Sequence, residues 1–315
     1  MSMKPRQIKV FAPASIGNIG AGFDVLGAAI MQPGDIVIAK RVPQPGLHFQ
    51  LHHSSTPVPD SSSNVAAHVA QLIMDECHPA FGIALTLHKK MPVGSGLGSS
   101  GASSAAAALA VNALLTKPLS KYDILSFAVE GERIASGTAH ADNVAPSLLG
   151  GICLIRHYHP LEVIKLPIKN NLFWVVAHPH MIIETRGARG ILPRTIPLST
   201  ASSQLGNIGG LIIGLMTGNQ ELAGKSIEDH LAEPARAPLI PGFFDVKQAA
   251  LQAGALGFSI SGSGPSVFAV TPSLIIAKRV AHSIKSTFVR SAQLKCDIYI
   301  SRINRQGATI IGSKS

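Results

Sequence analysis

The hydrophobic and polar positions of this chain repeat with two different periods. Single alternation, as over residues 83–88, is typical of a strand that is buried on one face. Apolar side chains three or four residues apart, as over residues 65–77, predict a helix, which Asn64 opens. Turn residues such as the Pro-Gln-Pro-Gly run at 43–46 separate these patterns. The chain is therefore predicted to contain both helices and strands, mixed in order.

The predicted elements can be given by their limits. Strands are predicted over residues 8–12, 35–40, 47–51, 83–88, 152–156, 163–166, 172–177, 258–261, 266–270 and 296–301. Helices are predicted over residues 64–77, 102–115, 121–136 and 274–288, and around 200–231 and 244–253. We expect a glycine-rich loop that ends at Gly27, a Pro- and Ser-rich loop over 56–63, and a frayed polar tail from Asn304.

This mixed order is typical of an α+β protein with two layers in each domain. A length of 315 residues favours one or two domains. A polar break at residues 169–171 suggests where they divide. The predicted domains cover residues 1–168 and 169–315.

Composition narrows the class of protein. Hydrophobic residues make up 46% of the chain and charged residues only 14%, which excludes general disorder. With 5% aromatic residues, the core must be built from Ala, Ile, Leu and Val. The longest apolar stretch, residues 105–115, is well short of the roughly 18 residues that span a bilayer. The polar, basic first ten residues do not resemble a secretory leader, so no membrane association is expected.

The cysteines and the net charge point to a cytoplasmic protein that does not bind nucleic acid. Three cysteines lie far apart without a CxxC pair, so neither a zinc site nor a disulfide framework is predicted. The formal charge of +10 fits a nucleic-acid binder, an enzyme steered towards anionic ligands, or the background of the source proteome. Because the basic residues are scattered, without interleaved aromatic residues, we disfavour the first explanation. The other two remain open.

Residues 94–101 have the composition of a loop that binds phosphate. Its glycines let the backbone turn tightly and direct successive N–H groups at an anion. Ser99, Ser100 and Gly101 would form the first turn of the following helix, whose N-terminus carries a positive partial charge. The two serine hydroxyls could cap that helix or bind Mg²⁺. The alternative is an ordinary helix start after a flexible loop.

Two apparent nucleotide motifs are rejected. Gly96, Gly98 and Gly101 match the dinucleotide pattern, but Pro92 separates them from the preceding strand and the downstream acid lies in a helix. Residues 218–226 end in Gly-Lys-Ser like a P-loop, but five residues separate the two glycines instead of four and no strand precedes them. We interpret this second segment as a connection between helices.

Two further segments carry polar groups that could act on phosphate. Residues 261–266 join two strands with alternating serine and glycine, which suits a hairpin turn and a phosphate-facing loop equally. Glu130, Glu132, His140 and Asp142 gather near the end of a helix together with Asn143. Without a third His or Cys at ligand spacing, this cluster fits Mg²⁺ better than a transition metal, and surface capping is the alternative. HExxH and GxSxG are absent, so zinc and serine hydrolysis lack support.

Taken together, residues 12–27, 92–102 and 259–265 resemble the three signature motifs of the GHMP kinases. Within that family the first segment is most similar to the homoserine kinases, in its Pro-Ala-Ser start and its Gly-Phe-Asp-Val-Leu-Gly end. Residues 140–146 and 233–241 resemble the same branch. The sequence departs from the pattern at Ile16-Gly17, where Ser-Ala is usual.

The resemblance implies a ribosomal-S5-like first domain that binds ATP and a ferredoxin-like second domain, often in a homodimer. It implies ATP-dependent phosphorylation of the side-chain hydroxyl of L-homoserine, with Mg²⁺, for threonine biosynthesis. Its implied ATP-binding residues are Asn64, Pro92, Val93, Gly94, Ser95, Gly96, Leu97, Gly98, Ser99, Ser100, Gly101, Ala102, Ser261, Gly262 and Ser263. Ser100 and Glu132 would hold the metal, and both count as catalytic together with Asp142 and Asn143.

The resemblance also implies an amino-acid site. Its residues would be Asn18, Asp24, His140, Asn143, Arg189 and Arg236. Arginine binds a carboxylate through two hydrogen bonds, and an acid such as Asp24 suits the ammonium group. Mevalonate kinases are thought to use an aspartate at the position of Asp142 as a base, whereas homoserine kinases are usually described without one.

Two other functions stay open. Mevalonate also carries a carboxylate, so the arginines do not exclude a GHMP kinase for another alcohol. A ligand sensor with the same fold would be free to lose Ser99, Ser100 and Glu132, which are all present.

Overall fold

Two β-sheets organise the molecule in the computed structural model, which describes residues 5–52, 64–137, 140–169 and 171–314. The predicted loop over 56–63 lies outside these residues. The strands are β1 (Gln7–Gly17), β2 (Leu26–Val42), β3 (Leu47–His52), β4 (Gly82–His88), β5 (Ile152–Tyr158), β6 (Leu161–Lys165), β7 (Phe173–Pro179), β8 (Gly257–Ile260), β9 (Val267–Thr271), β10 (Cys296–Ser301) and β11 (Thr309–Lys314).

Ten α-helices accompany these strands in the described ranges. They are α1 (Val65–Cys77), α2 (Ser99–Leu114), α3 (Lys121–Ser136), α4 (Ala141–Leu149), α5 (Thr185–Gly190), α6 (Leu198–Thr217), α7 (Gln220–Lys225), α8 (Glu233–Arg236), α9 (Phe243–Gln252) and α10 (Leu274–Ala292). Within the part of the chain that the structure covers, none of them has both the length and the apolar character of a membrane span.

Among the described residues the first sheet has seven strands, and α2 and α4 pack against it. The main path runs β11-β1-β2-β4-β3, and β5 pairs with β2 and β6. β3 and β4 are parallel, and the other pairs are antiparallel. Alternate residues of β1, such as Ile8 and Val10, are buried, as the period of two requires. Helix α2 is almost wholly buried, because its small alanine side chains let the strands and the neighbouring helices approach closely.

The second sheet confirms the ferredoxin-like arrangement. Its order is β10-β7-β9-β8, and every pair is antiparallel. Along the chain the elements run strand, helices, strand, strand, helix, strand, which is the split β-α-β topology. Trp174 and Phe268 of this sheet pack into the same apolar core as the first sheet, while the other face of the second sheet packs against α9 and α10 in a core of its own. The cleft described below lies between the two sheets.

Three predictions about loops met different outcomes. The tail from Asn304 does not fray: it turns through buried Asn304 and returns as β11, which pairs with β1. The glycine-rich loop is shorter than expected, because β1 continues to Gly17 and β2 starts at Leu26. The P-loop-like segment is not a P-loop, but it is only in part a connection: Gly218, with a φ of 87°, ends α6, and residues 220–225 of the segment form α7 itself.

The chain order of the strands is compatible with a domain division at residue 168, which remains a proposal. β1 to β6 of the first sheet precede it, and β7 to β10 of the second follow it. The exception is β11, which belongs to the first sheet although it ends the chain.

Candidate active site

A cleft of about 660 Å³ lies between the two domains and collects most of the residues that the sequence singled out. The predicted residues that line it are Asn18, Asp24, Asn64, Val93, Gly94, Ser95, Gly96, Gly98, Ser99, Ser100, Glu132, His140, Asp142, Asn143, Arg189, Arg236, Gly262 and Ser263. Five others, Pro92, Leu97, Gly101, Ala102 and Ser261, do not line it. Leu97 and Ala102 lie in the apolar core instead, and so shape the loop from behind.

The glycines of the phosphate-type loop are required by its backbone. Gly94, Gly96 and Gly98 have φ values of 64°, 76° and 65°, in the left-handed region that favours glycine. A Cβ on Gly98 would lie 2.0 Å from Ser15 Oγ, so the position also has no room for a side chain. Helix α2 starts at Ser99 without a side-chain cap, and its first N–H groups have no intrahelical partner. The loop and the helix start together have the backbone geometry that suits an anion, and we call them the anion cradle.

The three glycine-rich segments contact one another directly. Ser261 Oγ donates to Gly96 O at 2.6 Å, and Ser266 N donates to Ser95 O at 3.1 Å. Gly262 N donates to a carbonyl of the first segment, Gly17 O, at 3.1 Å. Segments far apart in sequence therefore form one continuous wall of the cleft.

Glu132 and Ser100 place a carboxylate and a hydroxyl, whose oxygen atoms could bind a cation, beside the cradle. Glu132 is 6% exposed on α3 and is hydrogen-bonded to Ser100 on α2. Burial raises the pKa of Glu132 to about 7, against the opposing effects of the Ser100 hydrogen bond and the Lys89 charge. A buried carboxylate of this kind is stabilised by a cation, and carboxylate, hydroxyl and phosphate oxygens suit Mg²⁺. The described residues contain no cluster of three His, Cys, Asp or Glu for a transition metal.

Asp24, Arg189 and His140 form a charged group on the other side of the cleft. Arg189 pairs with the Asp24 carboxylate, and its Nη2 lies 3.3 Å from His140 Nδ1. Asp24 has a φ of 59°, and its N–H donates to Asn18 Oδ1 at 3.0 Å. Burial lowers the pKa of His140, and the negative charge of Asp24 partly opposes this shift.

Arg236 lies beside this group and is nearly inaccessible, at 4% exposed. Its Nε donates to Ala188 O at 3.2 Å and its Nη1 to Gly262 O at 3.0 Å. The guanidinium carbon atoms of Arg236 and Arg189 lie 5.4 Å and 5.6 Å from the centre of the same Phe23 ring. Two arginines thus converge on one aromatic residue, in a pocket with the donors that a carboxylate requires.

Asp142 and Asn143 stand in the first turn of α4, between the cradle and the charged group. Asp142 Oδ2 accepts from Asn18 N at 3.2 Å and from Asn143 Nδ2 at 3.4 Å. Asn143 Oδ1 accepts from Ser15 Oγ at 2.9 Å. Burial, reinforced by the charges of Asp24 and Glu132, raises the pKa of Asp142 to about 7.

Several residues of the cleft were not predicted. Lys89 belongs to none of the predicted motifs, yet it lines the cleft just after the end of β4. Thr185 and Arg186 line it from α5, and Thr185 Oγ1 lies 3.3 Å from Ser263 Oγ. The position of Lys89 directly after an alternating strand was a signal that could have identified it. The short helix α5 shows no periodicity from which Thr185 and Arg186 could be found.

Comparison with family profiles identifies both halves of the chain. The profile for the GHMP kinases N terminal domain matches residues 64–151, which include the cradle, Glu132 and α4. The profile for the GHMP kinases C terminal matches residues 211–290, which include Arg236 and the third segment.

Full-length relatives agree with these profiles. The homoserine kinase of Chlorobium phaeobacteroides strain BS1 is 45% identical over 317 residues, covering 96% of this chain and 98% of the relative. The homoserine kinase of Pyrococcus furiosus is 39% identical over 298 residues, covering 95% and 98%.

Solved structures extend the comparison to the fold. The crystal structure of homoserine kinase from Cytophaga hutchinsonii has a TM-score of 0.94 at 45% identity, and 99% of each chain is covered. The crystal structure of L. major mevalonate kinase, at 15% identity and a TM-score of 0.70 with 98% of this chain and 99% of that chain covered, shares the fold alone.

Proposed function

The chain belongs to the GHMP kinase family, and on that premise we propose that it transfers the γ-phosphate of ATP to the side-chain hydroxyl of L-homoserine. The observation that carries the proposal is the joining of two unlike sites in one cleft. The anion cradle at the start of α2 suits the phosphates of ATP, and the Arg189, Arg236 and Asp24 group suits an amino acid. The similarity to homoserine kinases over nearly the whole chain supports this choice of acceptor.

Binding of the amino-acid end of the substrate would replace an ion pair within the protein by ion pairs with the substrate. Arg236 already uses two of its five N–H donors on backbone carbonyls, so the others remain for the substrate carboxylate. The carboxylate of Asp24, now paired with Arg189, would take the ammonium group and release Arg189 towards the carboxylate. Binding would thereby keep the charges of this partly exposed group paired, including the buried charge of Arg236.

In the transfer step the hydroxyl oxygen forms a bond to the γ-phosphorus while the bond to the bridging oxygen of ADP breaks. The N–H groups of α2 and of the glycine loop would hold the phosphate oxygens in place. Ser100 and Glu132 would hold Mg²⁺, which supplies positive charge to the phosphates. The hydroxyl proton would pass to a phosphate oxygen, because a loose transition state requires deprotonation only late. Asp142 and Asn143 would then act by orienting Asn18 and α4.

Mevalonate is the competing acceptor, since it also carries a carboxylate. It has no ammonium group, however, and so would leave Asp24 without a new partner after displacing Arg189. The test is ADP release with homoserine, mevalonate, galactose or no acceptor, with ³¹P NMR to identify the phosphorylated product. Fastest ADP release with homoserine, and a phosphate ester on its side-chain oxygen, are expected. Faster release with mevalonate would refute the acceptor assignment.

The same proposal covers the assembly and the setting of the enzyme. From the family resemblance we propose a homodimer in the cytoplasm, which sedimentation at several protein concentrations and cell fractionation would test. A concentration-independent monomer would refute the dimer.

A further inference from the structure

A buried ion pair lies directly beneath the phosphate-type loop. Lys89, which follows β4, places its Nζ 2.5 Å from Oδ2 of Asp35 in β2. The two side chains are only 4% and 0% exposed, although Lys89 reaches the floor of the cleft. Burying two charges is costly, and apolar residues of similar size often replace such a pair without loss of stability. The pair therefore calls for an explanation other than stability.

The Asp35 carboxylate holds the backbone where the loop begins. Its Oδ1 accepts from Lys90 N at 2.9 Å and from Met91 N at 3.1 Å. These two residues connect β4 to the glycine-rich segment. The direction in which the chain leaves the sheet is thus set by one buried carboxylate oxygen.

The Lys89 ammonium holds the backbone where the loop ends. Its Nζ donates to Ser99 O at 2.6 Å and to Ser103 Oγ at 2.8 Å, and Ser103 Oγ donates to Asp35 Oδ2 at 2.7 Å. All three hydrogen-bonding groups of the ammonium are therefore engaged. Both ends of the loop over residues 92–98 are tied to a single ion pair, one end through each partner.

The bond to Ser99 O has a direct consequence for the cradle. In a trans peptide the C=O and the following N–H point in opposite directions. Because Ser99 O points down at Lys89, the N–H of Ser100 points the other way, towards the cleft that Ser100 lines. The same contact fixes the start of α2, and with it the Ser100 hydroxyl that meets Glu132.

We propose that Asp35, Lys89 and Ser103 form a positioning unit that aims the phosphate loop and the Ser100 N–H at the phosphates of the bound nucleotide. This inference rests on the proposed function, since it requires that the cleft binds ATP. The unit acts through the loop backbone and does not itself transfer a proton or a phosphate.

The decisive variant is Asp35→Asn/Lys89→Met, which removes both charges together and nearly preserves the shape. It leaves no unpaired buried charge, so the thermal midpoint should stay near that of the parent. Its dissociation constant for ADP with Mg²⁺, measured by calorimetry, should nevertheless rise by about 10- to 100-fold, the range expected when a hydrogen bond to a charged phosphate is lost. The KM for homoserine at saturating ATP should change by less than about threefold.

Two further variants keep the test conclusive. Ser103→Ala removes one member of the unit without any change of charge. The variant should fold, because alanine suits the Ala-rich helix α2. Its loss of one hydrogen-bonding group should weaken ADP binding by about tenfold. Lys165→Met is the matched control, because this lysine also donates to backbone carbonyls, Leu149 O at 3.0 Å and Arg305 O at 2.7 Å, away from the cleft. It should lower the thermal midpoint and leave the ADP affinity unchanged.

The outcomes distinguish a failure of the proposed function from a failure of the positioning unit alone. A parent protein that does not bind ADP would overturn the proposed function and this inference with it. A parent that binds ADP, with parent-like affinity in the double variant or in Ser103→Ala, would overturn the inference alone. An equal loss of ADP affinity in Lys165→Met would likewise overturn it, because the effect would then follow from general destabilisation.

Discussion

Replacing Asp142 by asparagine removes a carboxylate that is 3% exposed to water and keeps its shape. The oxygen Oδ2 accepts hydrogen bonds from Asn18 N and Asn143 Nδ2, and the side-chain oxygen of asparagine can accept the same bonds. The substitution therefore changes the charge of the site with little change in its geometry. Two measurements follow, one on stability and one on catalysis.

The stability measurement follows from the raised pKa of Asp142. Burial, then the charges of Asp24 and Glu132, move it from 3.8 to about 7. Between these pH values the native state keeps a proton that the unfolded chain has lost, so the free energy of unfolding falls as pH rises. At about 1.4 kcal/mol for each pKa unit, the whole loss is roughly 4 kcal/mol, of which about 3 kcal/mol falls between pH 5 and 7. The asparagine variant lacks this contribution of Asp142, and titrations of groups that do not interact with Asp142 cancel in the difference.

The assay is urea unfolding of the parent and of Asp142→Asn without ligands at several pH values from 5 to 8. The variant should gain stability relative to the parent by about 3 kcal/mol over this range and should show a plateau above pH 7. Asp75→Asn, on the exposed surface of α1, is the matched control and should run parallel to the parent. A parallel profile for Asp142→Asn as well would refute the argument that burial dominates this carboxylate.

The catalytic measurement distinguishes orientation from proton transfer. A general base usually contributes about 10²- to 10⁴-fold to the rate. If Asp142 acts by orienting Asn18 and α4, kcat of Asp142→Asn at saturating substrates should stay within roughly tenfold of the parent. A thousandfold loss, together with disappearance of the acidic limb of the pH profile, would make Asp142 the base and refute the proton path given above.

Three other predictions concern residues around the cleft. Ser100→Ala and Glu132→Ala should each lower kcat strongly, because the two side chains act on charge that develops during transfer. Circular dichroism should show that both variants keep the fold. Near-normal kcat at saturating Mg²⁺ would contradict the metal assignment. Arg236→Leu should raise the KM for homoserine roughly 10- to 150-fold, equivalent to about 1.5–3 kcal/mol, with a smaller effect on the KM for ATP. Arg189→Leu should have the same effect. An unchanged KM for homoserine would contradict the carboxylate site. Tyr158→Phe removes a hydroxyl that donates to Asp24 O at 2.9 Å and accepts from Ala141 N at 3.3 Å, and should raise the KM for homoserine by several-fold with kcat retained; a fall in kcat alone would contradict this positioning role.

The local elements of the fold could be predicted from the sequence because their signals are local. The predicted strand at 296–301 agrees with β10, and the predicted helix at 121–136 agrees with α3. Spacing of apolar residues and capping residues determine such elements within a few turns of chain. The glycines at 94, 96 and 98 were also informative, because only a backbone in the left-handed region needs them so regularly.

Other parts of the site were accessible only through resemblance or not at all. Nothing local distinguishes Arg189 and Arg236 from surface arginines, and the family motifs alone singled them out before the structure brought both to the Phe23 ring. Lys89 and Asp35 are 54 residues apart, so no short pattern could pair them. Each of these contacts depends on the packing of elements that are distant along the chain.

By itself, then, the sequence determined where most helices and strands form, which loop has the composition of a phosphate-binding loop, and which family the motifs resemble. The tertiary structure decided which of these groups meet. It returned the polar tail as β11 beside β1, because an edge strand with unpaired N–H and C=O groups can pair with any segment that the fold brings near. It also brought Ser100, Glu132 and Arg236 to one cleft, since the burial of the two charged side chains is a property of the assembled interior and not of any segment within it.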